Sequence, residues 1–172
     1  MSFPNQRTYS FDVNAQLSDN AAAYTATGYA QAGGADGIVD LGGNQGVTVT
    51  LPAIDDISTY TPQQARIDAV LIADVTAIKI SAGNESYKLM ALVSNDPAFG
   101  AGNVEQAGEI MVGKGASRDG VNMKDSVVGR YEIPFTNNIA GSIYQYVKLY
   151  LVIGGTAPTI NVTSFVAVMP EP

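Results

Sequence analysis

The sequence predicts an all-β fold, and three observations carry that expectation. First, the aliphatic residues are mostly β-branched, with 17 Val and 13 Ile against 8 Leu. Branching at Cβ costs rotamer freedom in a helix and packs well on a pleated sheet. Second, 12 Thr and 9 Tyr add to the same preference. Third, 18 Gly and 8 Pro supply turn residues for many short strands. A length of 172 residues with 46% hydrophobic content suits one domain with a substantial core.

Taken in order, residues 1–20 read as an N-terminal arm. Within it Tyr9, Phe11 and Val13 alternate with Thr8, Ser10 and Asp12, so residues 7–13 are a candidate strand. Residues 21–172 then form a single β-sandwich domain. Residues 21–30 are small and β-compatible, with Tyr24 and Tyr29 as bulky members. A glycine-rich turn at 33–37 leads to short strands over 38–41 and 46–51. Val47, Val49 and Leu51 alternate with Thr48 and Thr50, the pattern of a half-buried strand. A polar connection with two prolines occupies 52–65, where 61–65 reads as one helical turn.

Residues 66–73 are almost all apolar, which predicts a central strand buried on both faces. Strands follow over 77–81, 87–93, 109–112 and 130–135, separated by loops at 95–102 and 113–127. In the last third, Ile143, Val147, Leu149, Leu151 and Ile153 share one face, while Tyr144, Tyr146, Lys148 and Tyr150 share the other. A final strand over 160–169 places Ile160, Val162, Val166 and Val168 together. These two strands read as a hairpin around Gly154-Gly155-Thr156-Ala157-Pro158. The sum is about eight to ten short antiparallel strands, which predicts a sandwich or barrel with the jelly roll prominent among the choices.

Composition also bounds the chemistry. With no His and no Cys, the chain has no thiol nucleophile, no disulfide, no Ser-His-Asp triad and no His or Cys zinc ligands. A net charge of −7 repels nucleic-acid phosphate and anionic lipid, so neither nucleic acid nor membrane is an expected partner. No run approaches the ~20 apolar residues of a membrane span. The opening Met1-Ser2-Phe3-Pro4-Asn5 lacks the regions of a secretory signal, which predicts a protein retained where it is made.

Three constellations invite a chemical reading. Residues 108–115 approach a phosphate-binding loop, but Gly115 stands where Ser or Thr must reach magnesium, so a strand followed by a loop is expected. Asp36 with Asp40, and Asp55 with Asp56, are carboxylate pairs without a calcium-loop pattern. No pair is singled out for the two-carboxylate work of a glycosidase. No enzyme activity, cofactor or metal is therefore expected. The tyrosine face of Tyr144, Tyr146 and Tyr150 is open to two readings. It either binds sugar or a protein partner, or packs as the second face of a central strand.

The order of several short segments resembles the jelly-roll decoration, or cement, proteins of tailed-bacteriophage heads. The segments are Asp36-Gly37-Ile38-Val39-Asp40-Leu41-Gly42, Tyr87-Lys88-Leu89-Met90 with the Ser94-Asn95-Asp96 turn, and Gly129-Arg130-Tyr131. Tyr144-Gln145-Tyr146-Val147-Lys148-Leu149-Tyr150 and Gly154-Gly155-Thr156 complete the set. The likeness spans roughly residues 20–169. It implies a structural virion protein made in the host cytoplasm and bound to the outside of a capsid. The implied partners are the major capsid protein and further copies of the chain, as a dimer or trimer. It transfers no catalytic residues. Tyr9 and Phe11 of the arm join Tyr144, Tyr146 and Tyr150 as candidate interface residues. A carbohydrate-binding β-sandwich module is the alternative, although such modules usually use exposed Trp and this chain has none.

Overall fold

A computed structural model describes residues 12–42, 66–116 and 124–168. The fold is all-β and antiparallel, as the β-branched composition predicts. A 3-10 turn, Val13–Ala15, is followed by strands β1 (Gln16–Asp19), β2 (Gly28–Tyr29), β3 (Gln31–Ala32), β4 (Ala35–Asp36) and β5 (Val39–Asp40). Then come β6 (Asp68–Ile78), β7 (Ser86–Ser94), β8 (Val104–Gly113) and β9 (Gly129–Thr136). The chain continues through β10 (Asn138–Ile139), β11 (Ser142–Ile143), β12 (Tyr146–Gly154) and β13 (Ile160–Val168). One sheet has the order β1-β13-β6-β9. The other has the order β2-β12-β7-β8, with β5 also pairing β12. β3-β4 and β10-β11 are small separate ribbons.

The two sheets face each other across one core. From the first sheet come Leu17, Ala69, Leu71, Ala73, Val75, Ile133, Ile160 and Val162. The second contributes Tyr87, Leu89, Ala91, Val93, Val112, Val147, Leu149 and Leu151. The alternation read for β7, β12 and β13 matches this division: Val166 packs against the same cluster, and Val147, Leu149 and Leu151 are fully buried. Burying one such side chain contributes about 1.5–3 kcal/mol.

β6 lies between β13 and β9 and is buried on both faces. On its other face Val70 and Ile72 join Phe165 and Ala167 in a second buried cluster. That is why the sequence over 66–73 shows no alternation. β6 also runs unbroken through 74–77, so the two strands expected at 66–73 and 77–81 are one. Thr76 is accommodated by a bulge, since Val162 pairs with Val75 and Asn161 with Ala77.

Two expectations are corrected. β12 and β13 are both central, but they are not a hairpin: β12 pairs β7, whereas β13 pairs β6. The intervening turn crosses between sheets, because each strand pairs along its whole length with a partner in its own layer, β12 with β7 and β13 with β6. Residues 16–19, within the stretch 1–20 read as an arm, belong to the sandwich. Gln16–Asp19 is an edge strand of the sandwich on β13, with Leu17 and Ser18 fully buried. The Ser18 hydroxyl donates to the Val162 carbonyl at 2.6 Å, which fastens that edge. Of the candidate strand at 7–13, Val13 opens the 3-10 turn behind an Asp12 cap and is 68% exposed. Tyr9, Phe11, the strand at 46–51, Asp55, Asp56 and the turn at 61–65 lie outside the described residues.

The open sides of the sandwich are closed by close backbone approaches. A Cβ on Gly108 of β8 would stand 2.8 Å from the Pro134 carbonyl oxygen and 2.9 Å from Ile133 Cγ2 of β9. Only glycine lets these two edges from opposite sheets meet. At one end, the Tyr87 hydroxyl donates to the Lys79 carbonyl at 2.7 Å and accepts from the Thr159 amide at 2.9 Å. This joins the exit of β6 to the entry of β13.

Candidate functional site

The outward face of β12 carries Tyr146, Lys148, Tyr150 and Val152, because Val147, Leu149 and Leu151 point into the core. Cross-strand partners extend this face over β7 and β8: Lys148 lies opposite Leu92 and Tyr150 opposite Met90. Lys88 and Glu109 form an ion pair at 2.9 Å on the same surface. At its centre Lys148 is only 5% exposed.

Lys148 is covered by the chain's own residues. Its ammonium lies 4.8 Å from the centroid of the Tyr29 ring and 4.8 Å from that of Phe99. It also pairs with the Asp36 carboxylate at 3.2 Å. Tyr29 meets Phe99 edge-on at 5.9 Å and Tyr150 edge-on at 4.9 Å. Burial pushes the Tyr29 phenol above its ordinary value, and the neighbouring Tyr150 and Asp36 add to that. Desolvated ammonium–ring contacts of this kind contribute up to ~2 kcal/mol.

Phe99 reaches this position from the β7–β8 loop in a left-handed conformation, φ +53°. A bulky residue there costs about 1–2 kcal/mol, which the buried ring and its contact with Lys148 offset. Asp96 closes the same loop: its carboxylate accepts from the Ala98 amide at 2.9 Å and the Gly100 amide at 3.1 Å. Ser94, Asn95 and Asp96 therefore make a turn locked by side chains.

The structure separates the tyrosines that the sequence groups together. Tyr146 and Tyr150 lie on the outer face of β12, both half-buried, with Val152 as the exposed apolar member at 40%. Tyr144 lies before the strand and packs against the main core cluster. Its amide donates to the Asn137 carbonyl at 2.8 Å, so the chain departs from the sheet there. The break leaves one mark in the alternation of 143–153: Gln145 is polar where the core-facing pattern calls for an apolar residue. Sequence reasoning also missed Tyr29, Phe99 and Asp36 as partners of Lys148. They come from three separate segments, and only a lone buried Lys in an apolar strand pointed to a need for partners.

Among the described residues, the remaining chemical candidates are occupied by protein groups. Residues 108–113 lie in β8, and Lys114 pairs with Asp125 at 2.7 Å. Asp40 accepts from the Gly42 amide at 2.7 Å and from the Gln145 side chain at 3.1 Å. Among the described residues no group of three or more acidic, His or Cys side chains is placed to hold a metal ion. No helix among them is long and apolar enough to cross a membrane. No family model, curated protein or solved structure matches the chain.

Proposed function

We propose that the chain is a structural virion protein, a decoration or cement protein that binds the outer surface of a tailed-phage head. Numbered by layer-forming strand, with β2 and β5 counted as one, the sheets read 1-8-3-6 and 2-7-4-5. We read that order as a jelly roll of two Greek keys. The observation that carries the proposal is what the family-like segments do. Each holds a turn or a joint, and none contributes to a reactive cluster. Asp40 and Gly42 end β5 against β12; Ser94 and Asp96 lock the β7–β8 loop. Arg130 of Gly129-Arg130-Tyr131 makes a two-pronged pair with Asp74 at 2.7 and 2.8 Å, tying β9 to β6. Gly155-Thr156 seats on Asn84, whose amide exchanges two hydrogen bonds with Thr156.

Segments of this kind specify a scaffold for packing and display, which suits a protein whose work is to brace its neighbours. The proposed partners are the major capsid protein and copies of the chain itself, as a dimer or trimer, since closed symmetry lets one patch serve every copy. The proposed location is the capsid surface after synthesis in the host cytoplasm. Density-gradient sedimentation of the purified chain mixed with undecorated heads of the encoding phage tests this. Co-migration that saturates at a fixed ratio supports the proposal, and a chain that stays at the top of the gradient opposes it.

A further inference from the structure

A cleft of about 380 Å³ opens where the β7–β8 loop, the start of β8 and the segment before β12 meet. Asn95, Asp96, Gly102, Asn103, Glu105 and Tyr144 line it. We infer that this cleft is a binding site for a neutral saccharide, an activity independent of capsid attachment.

The walls of the cleft are held before any ligand arrives. The Asn95 side chain brackets Tyr144. Its Oδ1 accepts from the Gln145 amide at 2.9 Å and its Nδ2 donates to the Ile143 carbonyl at 3.1 Å. The buried Asn137 holds Tyr144 itself, accepting from its amide at 2.8 Å and donating to its carbonyl at 3.1 Å. The opposite wall is the loop that Asp96 closes and that Phe99 pins onto Lys148 and Tyr29. The left-handed Phe99 shows that this loop is kept in one shape against its local preference. A wall ordered in advance spares a ligand the entropic cost of ordering it.

Polar groups within these walls also remain unused. The Asn103 side-chain amide, the Glu105 carboxylate and the Tyr144 hydroxyl have no hydrogen-bond partner among the described residues, and all three line the cleft. Together they offer donors and acceptors, with a tyrosine ring beside them. A sugar hydroxyl both donates and accepts, and a sugar's C–H face packs on an aromatic ring. Two carboxylates disfavour an anion. A cation needs acceptors alone, and both Asp96 oxygens already serve backbone amides. The volume falls in the range of ~300–1,000 Å³ usual for small-ligand sites.

The test is amide-resolved NMR of the full chain titrated separately with maltotriose, cellotriose and triacetylchitotriose, with methylguanidinium as the cationic control. The expected result is that at least one trisaccharide shifts the amides of residues 95–105 and 143–146. Asn103→Ala should weaken that binding by about tenfold, the effect of one ordinary hydrogen bond. Tyr144→Ala should abolish it. Should Tyr144→Ala fail to fold, Asn103→Ala combined with Glu105→Gln decides, since both residues are exposed. The inference is overturned if no trisaccharide shifts these amides, if methylguanidinium alone does, or if the Asn103 variant binds as tightly as the parent. None of these outcomes bears on capsid attachment.

Discussion

Replacing Lys148 by alanine and, separately, by methionine tells apart what its stem and its charge contribute. The side chain is buried beneath Tyr29 and Phe99, so the stem is packed as any core residue is. Lys148→Ala removes three methylenes, about 2.4 kcal/mol at ~0.8 kcal/mol each. The charge has opposing effects. Two ring contacts contribute ~0.5–2 kcal/mol each. The pair with Asp36, which is itself 44% exposed, adds ~0.2–1 kcal/mol. Against them stands a desolvation cost of several kcal/mol for a buried ammonium. These nearly cancel, whereas nothing cancels the stem. Lys148→Ala should therefore lose about 2–3 kcal/mol, a fall in Tm of roughly 5–10 °C for a domain of this size. Lys148→Met keeps the stem and should stay within about 1 kcal/mol of the parent. Urea unfolding followed by tyrosine fluorescence measures both. Equal losses in the two variants would show that the charge dominates and would refute the reasoning.

Other outcomes follow from the same structure. Leu149→Ala empties a fully buried site between the sheets and should cost ~2–5 kcal/mol by chemical denaturation. Ser164→Ala should raise stability by about 1 kcal/mol, because the Ser164 hydroxyl is buried with no partner among the described residues; an unchanged or lower midpoint would mean it is satisfied. Gly155→Ala should destabilise strongly in a thermal melt, since φ is +106° and a Cβ would stand 2.6 Å from the Asn84 carbonyl oxygen. Burial alone would raise the Glu85 pKa, but the backbone amides of Ala82, Glu85, Gly83 and Asn84 outweigh it and hold the carboxyl below its ordinary 4.5. A depressed folded-state pKa adds stability above the ordinary value and loses it as pH falls through the folded one. Tm should therefore decline below about pH 4.5, and Glu85→Gln should flatten that decline while lowering Tm at neutral pH.

The sequence displays most clearly what repeats along a strand. The alternation of Tyr87, Leu89, Ala91 and Val93, and of Val147, Leu149 and Leu151, places both core faces correctly. The unbroken apolar run ending at Ala73 marks the strand buried on both sides. Interruptions are harder to read. β8 begins at Val104 although only 109–112 alternates, because Ala107 falls at a bulge and Gly108 serves the β9 edge. The non-hairpin course of β12 and β13 depends on partners far away in sequence, and local turn residues do not report them. Lys148 shows the same limit at the site. Its strand position was legible, but Tyr29, Phe99 and Asp36 reach it from loops whose shape no periodicity encodes.

The measurement closest to the central proposal is electron cryomicroscopy of heads assembled from the capsid protein of the phage proposed to encode the chain, imaged with and without it. The account predicts added density that fits the two-sheet sandwich, on the outer surface and at repeating symmetry-related positions. Heads that stay bare at saturating concentrations of the folded chain would contradict it.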